Sequence, residues 1–144
     1  MSITKSYHCA YDMHYHIVFP VKYRKALLVP SIASAIQEIA HAIEERYEII
    51  FEKIGTDGDH IHLLCAFHPK YAASTIVGIF KSITARALFT RFPELKKELW
   101  GGEFWTEGYY IATVSTRGDW ATVERYVANQ GKTIGTTHQL TLWH

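Results

Sequence analysis

Two histidines one residue apart, His60 and His62, and a tyrosine and a glutamine four residues apart, Tyr126 and Gln130, are the side chains whose types and spacing point to chemistry. Strand periodicity puts His60, His62 and Leu64 on one face and Ile61, Leu63 and Cys65 on the other. The apolar trio is the natural core set, which leaves two imidazoles on the uncovered face, where such a pair can bind a divalent ion. A His-x-His pair alone is equally an ordinary surface feature, and His14 and His16 satisfy the same periodicity. Tyr126 and Gln130 add to the signal, because residues four apart lie one above the other on a helix. A glutamine carbonyl is a neutral oxygen donor, so two imidazoles and one amide leave an ion its full charge and open positions for phosphate oxygens. Mg²⁺ or Mn²⁺ suits such a set better than zinc. The ion would polarise a phosphodiester. A tyrosine, with an ordinary pKa of about 10, becomes a nucleophile only when its phenolate is favoured by the ion or by a nearby charge such as Arg125 or Lys132. Attack by tyrosine stores the broken bond as an ester of similar energy, so no ATP is needed.

The elements that must position these groups are legible in the hydrophobic pattern. Residues 13–21 are β-branched, aromatic and aliphatic and end in the basic turn Lys22-Tyr23-Arg24-Lys25, which predicts a first strand. Pro30 and Ser31 open an amphipathic helix over residues 31–47, with Ile32, Ala35, Ile36, Ile39, Ala40 and Ile43 on its apolar face. Two antiparallel strands, 48–56 and 60–67, flank Asp57-Gly58-Asp59, a hairpin signal. Ser74 is expected to cap a helix reaching about Arg91, with Ile76, Ile79, Phe80, Ile83 and Ala87 buried. After a short charged segment at 94–98 and a break at Gly101-Gly102, residues 104–115 read as the last strand. Asp119 caps a final helix over 120–130, and Gly131 stops it. The expected class is α+β: a ferredoxin-like or RRM-like antiparallel sheet with helices on one face, the other face free for a ligand or partner, plus a C-terminal helix carrying Tyr126.

At 144 residues, with 48% hydrophobic and 20% charged residues, the chain suits one globular domain over residues 1–144. Apolar stretches such as 17–20 and 61–67 fall far short of the roughly 20 residues a membrane helix needs. Residues 1–8 lack the apolar core of a secretion signal, so the cytoplasm is the expected compartment. Cys9 and Cys65 are expected to be free thiols. A net charge of +1 gives no global basic signature, so a nucleic-acid partner needs a local patch.

The segment Asp59-His60-Ile61-His62-Leu63-Leu64, followed some sixty positions later by Tyr126-Val127-Ala128-Asn129-Gln130, resembles the single-tyrosine HUH transposases of TnpA type, which mobilise bacterial and archaeal insertion sequences as single-stranded DNA. Tyr15-His16-Ile17-Val18-Phe19 with Lys22-Tyr23-Arg24 is similar to that family's first strand and basic turn. Phe104-Trp105 with Gly108-Tyr109-Tyr110 resembles its last strand. The resemblance implies that His60, His62 and Gln130 ligate the metal. It also implies that Tyr126 forms a 5′-phosphotyrosine link and leaves a free 3′-hydroxyl. Its members are homodimers whose last helix lends its tyrosine to the partner's histidine pair, and Gly118 is a hinge candidate for that exchange. They recognise hairpins at the element ends. The family pattern makes His60 and His62 the metal pair, which leaves His16 to be read as a neighbour lining or supporting the site and His14 as an exposed residue. One departure is Ile111-Ala112-Thr113-Val114-Ser115-Thr116-Arg117, where relatives often carry a serine-valine-glycine step.

Lys22, Arg24 and Lys25, with Lys81, Arg86 and Arg91 on the second long helix, are the expected phosphate contacts. Phe104, Trp105, Tyr109 and Tyr110 are candidates for base stacking, although core is the better reading for most of them. Three other functions fit parts of the pattern: a domesticated relative acting on genomic palindromes, a non-catalytic RRM-like nucleic-acid-binding module, and a zinc hydrolase recruiting Asp59.

Overall fold

The computed structural model describes residues 3–6 and 9–114. The expected final helix, with Tyr126, Gln130, Gly118 and Asp119, lies outside the described residues. A short hairpin of β1 (Thr4–Ser6) and β2 (Cys9–Tyr11), which the sequence pattern does not announce, precedes the main sheet. Then follow β3 (His14–Pro20), a 3₁₀ turn (Lys22–Arg24), α1 (Pro30–Arg46), β4 (Ile49–Thr56), β5 (His60–Phe67), α2 (Ala73–Arg91), α3 (Leu95–Glu98) and β6 (Tyr110–Val114).

The main sheet has the order β4-β5-β3-β6 with antiparallel neighbours throughout. The chain leaves β3 through α1 to reach β4 and later inserts β5 between them; α2 then carries it over β3 to β6. This is the split strand-helix-strand arrangement the pattern predicts. Ile17 and Phe19 of β3 and Ile61, Leu63 and Cys65 of β5 form one core with Ile36, Ile39 and Ile43 of α1 and Ile76, Phe80 and Leu88 of α2. Pro30 begins α1, where a missing N–H costs nothing and the fixed φ suits the first turn.

Three expectations are corrected. Ser74 is not the cap of α2: Ala72 holds that position, and no side chain caps the helix. The buried stripe of α2 is Ile76, Val77, Phe80, Thr84 and Leu88, with Ile79, Ile83 and Ala87 half-buried. The stripe is rotated because Thr84 is a polar anchor, its hydroxyl donating to the Phe80 carbonyl (2.6 Å) and accepting from the Trp105 indole (2.8 Å). The last strand begins at Tyr110, since Phe104 and Trp105 are core pegs in an irregular segment, Trp105 making only an isolated bridge to Val21.

The second face of the sheet is also less open than expected. Val18, Leu64 and Ala66 on that side are buried, as are His14, His16 and His60. The cause is visible in β5, whose near-continuous apolar run is the signature of a strand covered on both faces.

The irregular segment before β6 is held from α2. Lys81 donates to the carbonyls of Thr106 (2.6 Å), Glu107 (3.1 Å) and Gly108 (3.0 Å). Its ammonium also sits 4.9 Å from the Phe19 ring centroid. Burial lowers its pKa to about 8, against the opposing pull of Glu107 and Glu103. Lys81→Met keeps the stem and strands the carbonyls, so urea denaturation is expected to show a loss of about 2 kcal/mol.

Candidate active site

The site is built on the hairpin between β4 and β5. Gly58 has φ +66°, a left-handed conformation that glycine adopts without strain, and the Asp57 N–H donates to the His60 carbonyl (3.0 Å) to close the turn. The Val21 N–H donates to the Asp59 carbonyl (2.8 Å) and the Leu28 N–H to that of Gly58 (3.0 Å). The loop is therefore fixed to the exit of β3.

Asp59 then orients the first imidazole. His60 Nδ1–H donates to Asp59 Oδ1 (2.9 Å), while Asp59 Oδ2 lies 3.4 Å from Arg24 Nε. A carboxylate at Nδ1 orients the ring and turns Nε2 away from the anchor, the second-sphere device common at metal-ligating histidines. Asp57 Oδ2 is 3.7 Å from that Nε2.

His62 lies on the same side of β5, half-buried, over Gly55 of the neighbouring strand. A Cβ at position 55 would come within 2.2 Å of its Cε1, so the ring occupies the space a side chain would need. His16, diagonal to His62 on the neighbouring strand β3, meets it edge-on at 6.3 Å between ring centroids and meets Tyr110 at 6.4 Å. Only 2% of His16 is exposed, and its Nε2 has no hydrogen-bond partner among the described residues. Burial, reinforced by the facing His62, brings the His16 pKa to about 4. Burial first and His60 second bring His62 to about 4, against a smaller opposing effect of Asp57. Both rings are thus neutral at pH 7, the state in which an imidazole can ligate a metal.

His60, His62 and His16 are brought to one region, with Arg24 joined to them through Asp59. Among the described residues no three His, Cys, Asp or Glu side chains group as ligands of one ion. Asp59, the carboxylate a zinc hydrolase would recruit, is turned to His60 and Arg24. His14 corrects the expectation of exposure: it is buried, with its ring nitrogens facing Asp12 Oδ1 (2.8 Å) and Glu52 Oε1.

The expected phosphate contacts are spread around this centre. Lys22 pairs with Glu103 (3.0 Å), Lys25 with Glu98 (3.3 Å) and Arg91 with Glu38 (2.7 Å). Arg86 is exposed, bonded to Ser82 Oγ (2.9 Å), and lines a groove of about 840 Å³ between α2 and residues 102–107. Lys81 also lines it, but directs its ammonium to the three carbonyls described above. Of the aromatic candidates, Phe104 and Trp105 belong to the core, and Tyr109 and Tyr110 are half-buried. Sequence reasoning missed Gly55 and the bracing role of Asp59. A glycine inside a strand was the available signal for the first.

The family model described as "Transposase IS200 like" matches residues 9–130, a span that runs from β2 through the histidines to Gln130. The chain belongs to the IS200-like transposase family. Among its relatives, the ISDra2 transposase TnpA of Deinococcus radiodurans is 33% identical over 120 residues, covering 83% of this chain and 85% of the relative. The transposase for insertion sequence element IS200 of Salmonella typhimurium is 30% identical over 123 residues, covering 85% of this chain and 80% of the relative. A crystal structure of a transposase from Deinococcus radiodurans R1 superposes with a TM-score of 0.72 at 30% identity, covering 88% of this transposase and 97% of that chain. A REP-associated tyrosine transposase bound to a REP hairpin shares the fold, with a TM-score of 0.58 at 12% identity over 94% of this chain and 75% of that one. This IS200-like transposase shares its mixed α+β architecture with those structures, and its own four-stranded sheet carries the histidines. No helix of the described residues is long and apolar enough to cross a membrane.

Two outcomes are expected for the site. Gly55→Ala should displace the His62 ring and lower stability by about 1–3 kcal/mol, with the ring's NMR resonances shifted while the far-UV CD spectrum is retained. The second concerns pH. The folded pKa values of His16 and His62 lie below the unfolded value of about 6.5, so the unfolded chain binds more protons between pH 6.5 and 4. Their contribution is complete above pH 6.5 and is lost as the pH falls toward 4. His16→Phe should therefore show a smaller drop in thermal midpoint between pH 7 and pH 4.5 than the parent protein.

Proposed function

We propose that this transposase cleaves and rejoins single-stranded DNA at hairpin-marked element ends, with Tyr126 as nucleophile beside a divalent metal held by His60, His62 and Gln130. The observation that carries the reading is the pair of imidazoles on one face of β5, one locked through Nδ1 by Asp59 and the other held neutral over Gly55. The donor set fits such an ion: two imidazole nitrogens, with the amide of Gln130 as the oxygen donor of the resemblance. Mg²⁺ or Mn²⁺, when bound, would act as a Lewis acid toward the phosphodiester.

In the proposed reaction the Tyr126 phenol gives up its proton to the medium and its oxygen attacks phosphorus, the bond from phosphorus to the 3′-oxygen breaks, and that oxygen leaves as a 3′-hydroxyl after taking up a proton. The product is a 5′-phosphotyrosine ester. A second 3′-hydroxyl reverses the step: it gives its proton to the medium and attacks phosphorus, the bond to the Tyr126 oxygen breaks, and the released phenolate takes up a proton. Asp59 keeps His60 in the ligating tautomer, and His16 supports His62 from β3. Lys22, Arg24, Lys25 and Arg86 contact DNA phosphates, and Lys81 acts through the segment it holds rather than by direct contact. The working assembly is a homodimer with Tyr126 supplied to the partner's histidines.

The structure of the REP-associated protein with its hairpin supports hairpin DNA as the substrate form. Element mobilisation is favoured over a domesticated role, because the relatives at 30–33% identity are insertion-sequence transposases. An RRM-like binding module reads bases on an open sheet face, whereas Val18, Leu64 and Ala66 are buried on that side here.

The test is incubation of the purified protein with labelled single-stranded hairpin ends. A denaturation-resistant protein-DNA adduct is expected with Mg²⁺ or Mn²⁺, and none with EDTA, with Tyr126→Phe or with the His60→Ala, His62→Ala double variant. An adduct that survives Tyr126→Phe, or that forms equally in EDTA, would overturn the proposal.

A further inference from the structure

The strongest feature that the proposed reaction leaves unused is a pair of exposed aromatic rings beside the basic turn. Tyr23 is 56% exposed and Trp100 79%. Their rings are stacked, with centroids 6.4 Å apart and planes at 26°. An indole so fully in water is uncommon, because its large apolar surface is ordinarily buried.

The backbone holds Tyr23 outward at a cost. Tyr23 (φ 60°) and Arg24 (φ 53°) are consecutive non-glycine residues in the left-handed region, where the Cβ crowds the backbone. No burial of Tyr23 compensates. The turn is closed by its own bond from the Arg24 N–H to the Val21 carbonyl (2.8 Å) and clamped from outside by the Lys22 N–H donating to the Phe104 carbonyl (2.8 Å). Lys22–Glu103 and Lys25–Glu98 tie it to the segment that presents Trp100. Strain maintained by surrounding contacts is a recurrent mark of a functional surface.

We propose that Tyr23 and Trp100 form a stacking platform for one unpaired nucleobase of the single-stranded DNA, taken on the free face of the indole with the tyrosine ring behind it. The charges favour a nucleic acid. Lys22, paired with Glu103, lies 5.7 Å from the Tyr23 ring centroid, and Lys96 and Lys97, exposed just before Trp100, form no ion pair among the described residues and are the cations open to phosphate. Base-aromatic stacking between such cations is how sequence-tolerant single-strand sites are made. The platform is also continuous with the candidate active site. The residue after Tyr23 is Arg24, which reaches Asp59, which holds His60. A strand with a base seated there has Arg24 beside it as the next contact on the way to the histidines. The inference rests on the single-stranded DNA reading above.

The experiment measures the affinity of the full chain for labelled single-stranded oligonucleotides by fluorescence anisotropy over a range of salt concentrations. Trp100→Ala and Tyr23→Ala are each expected to weaken binding about tenfold, with the salt dependence unchanged because no phosphate contact is lost. Trp100→Phe should stay within about twofold of the parent. A scan of single abasic positions should find one at which removing the base weakens the parent protein but not Trp100→Ala. Both rings are exposed, so the thermal midpoint should hold in every variant. If the parent binds and Trp100→Ala binds equally well, the platform is overturned and the single-strand reading stands. If Trp100→Ala instead dissociates a dimer in sedimentation, the surface belongs to a second copy and the platform is overturned. Should the parent bind no single-stranded DNA, the proposed function falls and the platform with it.

Discussion

One carboxylate connects the parts of this protein that matter for chemistry. Asp59 accepts from His60 with one oxygen and approaches Arg24 with the other, while its main-chain carbonyl accepts from Val21. A hairpin loop, the turn after the first sheet strand and a ligating imidazole are thereby made one unit. A charge-assisted bond of this kind is shorter and stronger than a neutral one, and it fixes direction as well as distance. The strained turn at Tyr23 and Arg24 depends on the same junction. It persists because the Phe104 carbonyl holds the Lys22 N–H and the pairs Lys22–Glu103 and Lys25–Glu98 clamp its two ends.

The second organising constraint is the pleat of β5. Ile61, Leu63 and Cys65 must face the helices, so His60 and His62 are forced to the other side together. That side is itself largely buried, which is what holds His62 neutral near physiological pH. The burial that stabilises the sheet thus also prepares the donor groups. A more open sheet would give the imidazoles water and protons.

Much of this could be read from residue order. The alternation in β5, the three- and four-residue steps of α1 and the Asp-Gly turn each state a local preference that the tertiary structure agrees with, so strands, helices and the facing of the histidines follow directly. Where the reading departed, a long-range polar contact decided. Thr84 turned α2 toward the Trp105 indole, and Lys81 gathered three carbonyls from a segment whose β-branched and aromatic residues otherwise read as strand. The partnership of His14 with Asp12 and Glu52 is similarly invisible in periodicity, because Glu52 comes from a strand two places away in the sheet. Tyr23 and Trp100 escaped notice for the opposite reason. Aromatic residues are ordinarily assigned to the interior, and only the folded structure shows these two facing outward.

The irregularity in β4 has a consequence for how copies of this protein behave in a crowded cell. β4 lies at the margin of the sheet, where unpaired N–H and C=O groups can recruit a strand from another chain. Between Phe51 and Lys53 its register shifts, and Glu52, at the shift, faces His14 two strands inward. A bent, charge-bearing margin is a poor template for indiscriminate strand addition. The same residue that spoils the regularity of the ladder guards the protein against aggregation.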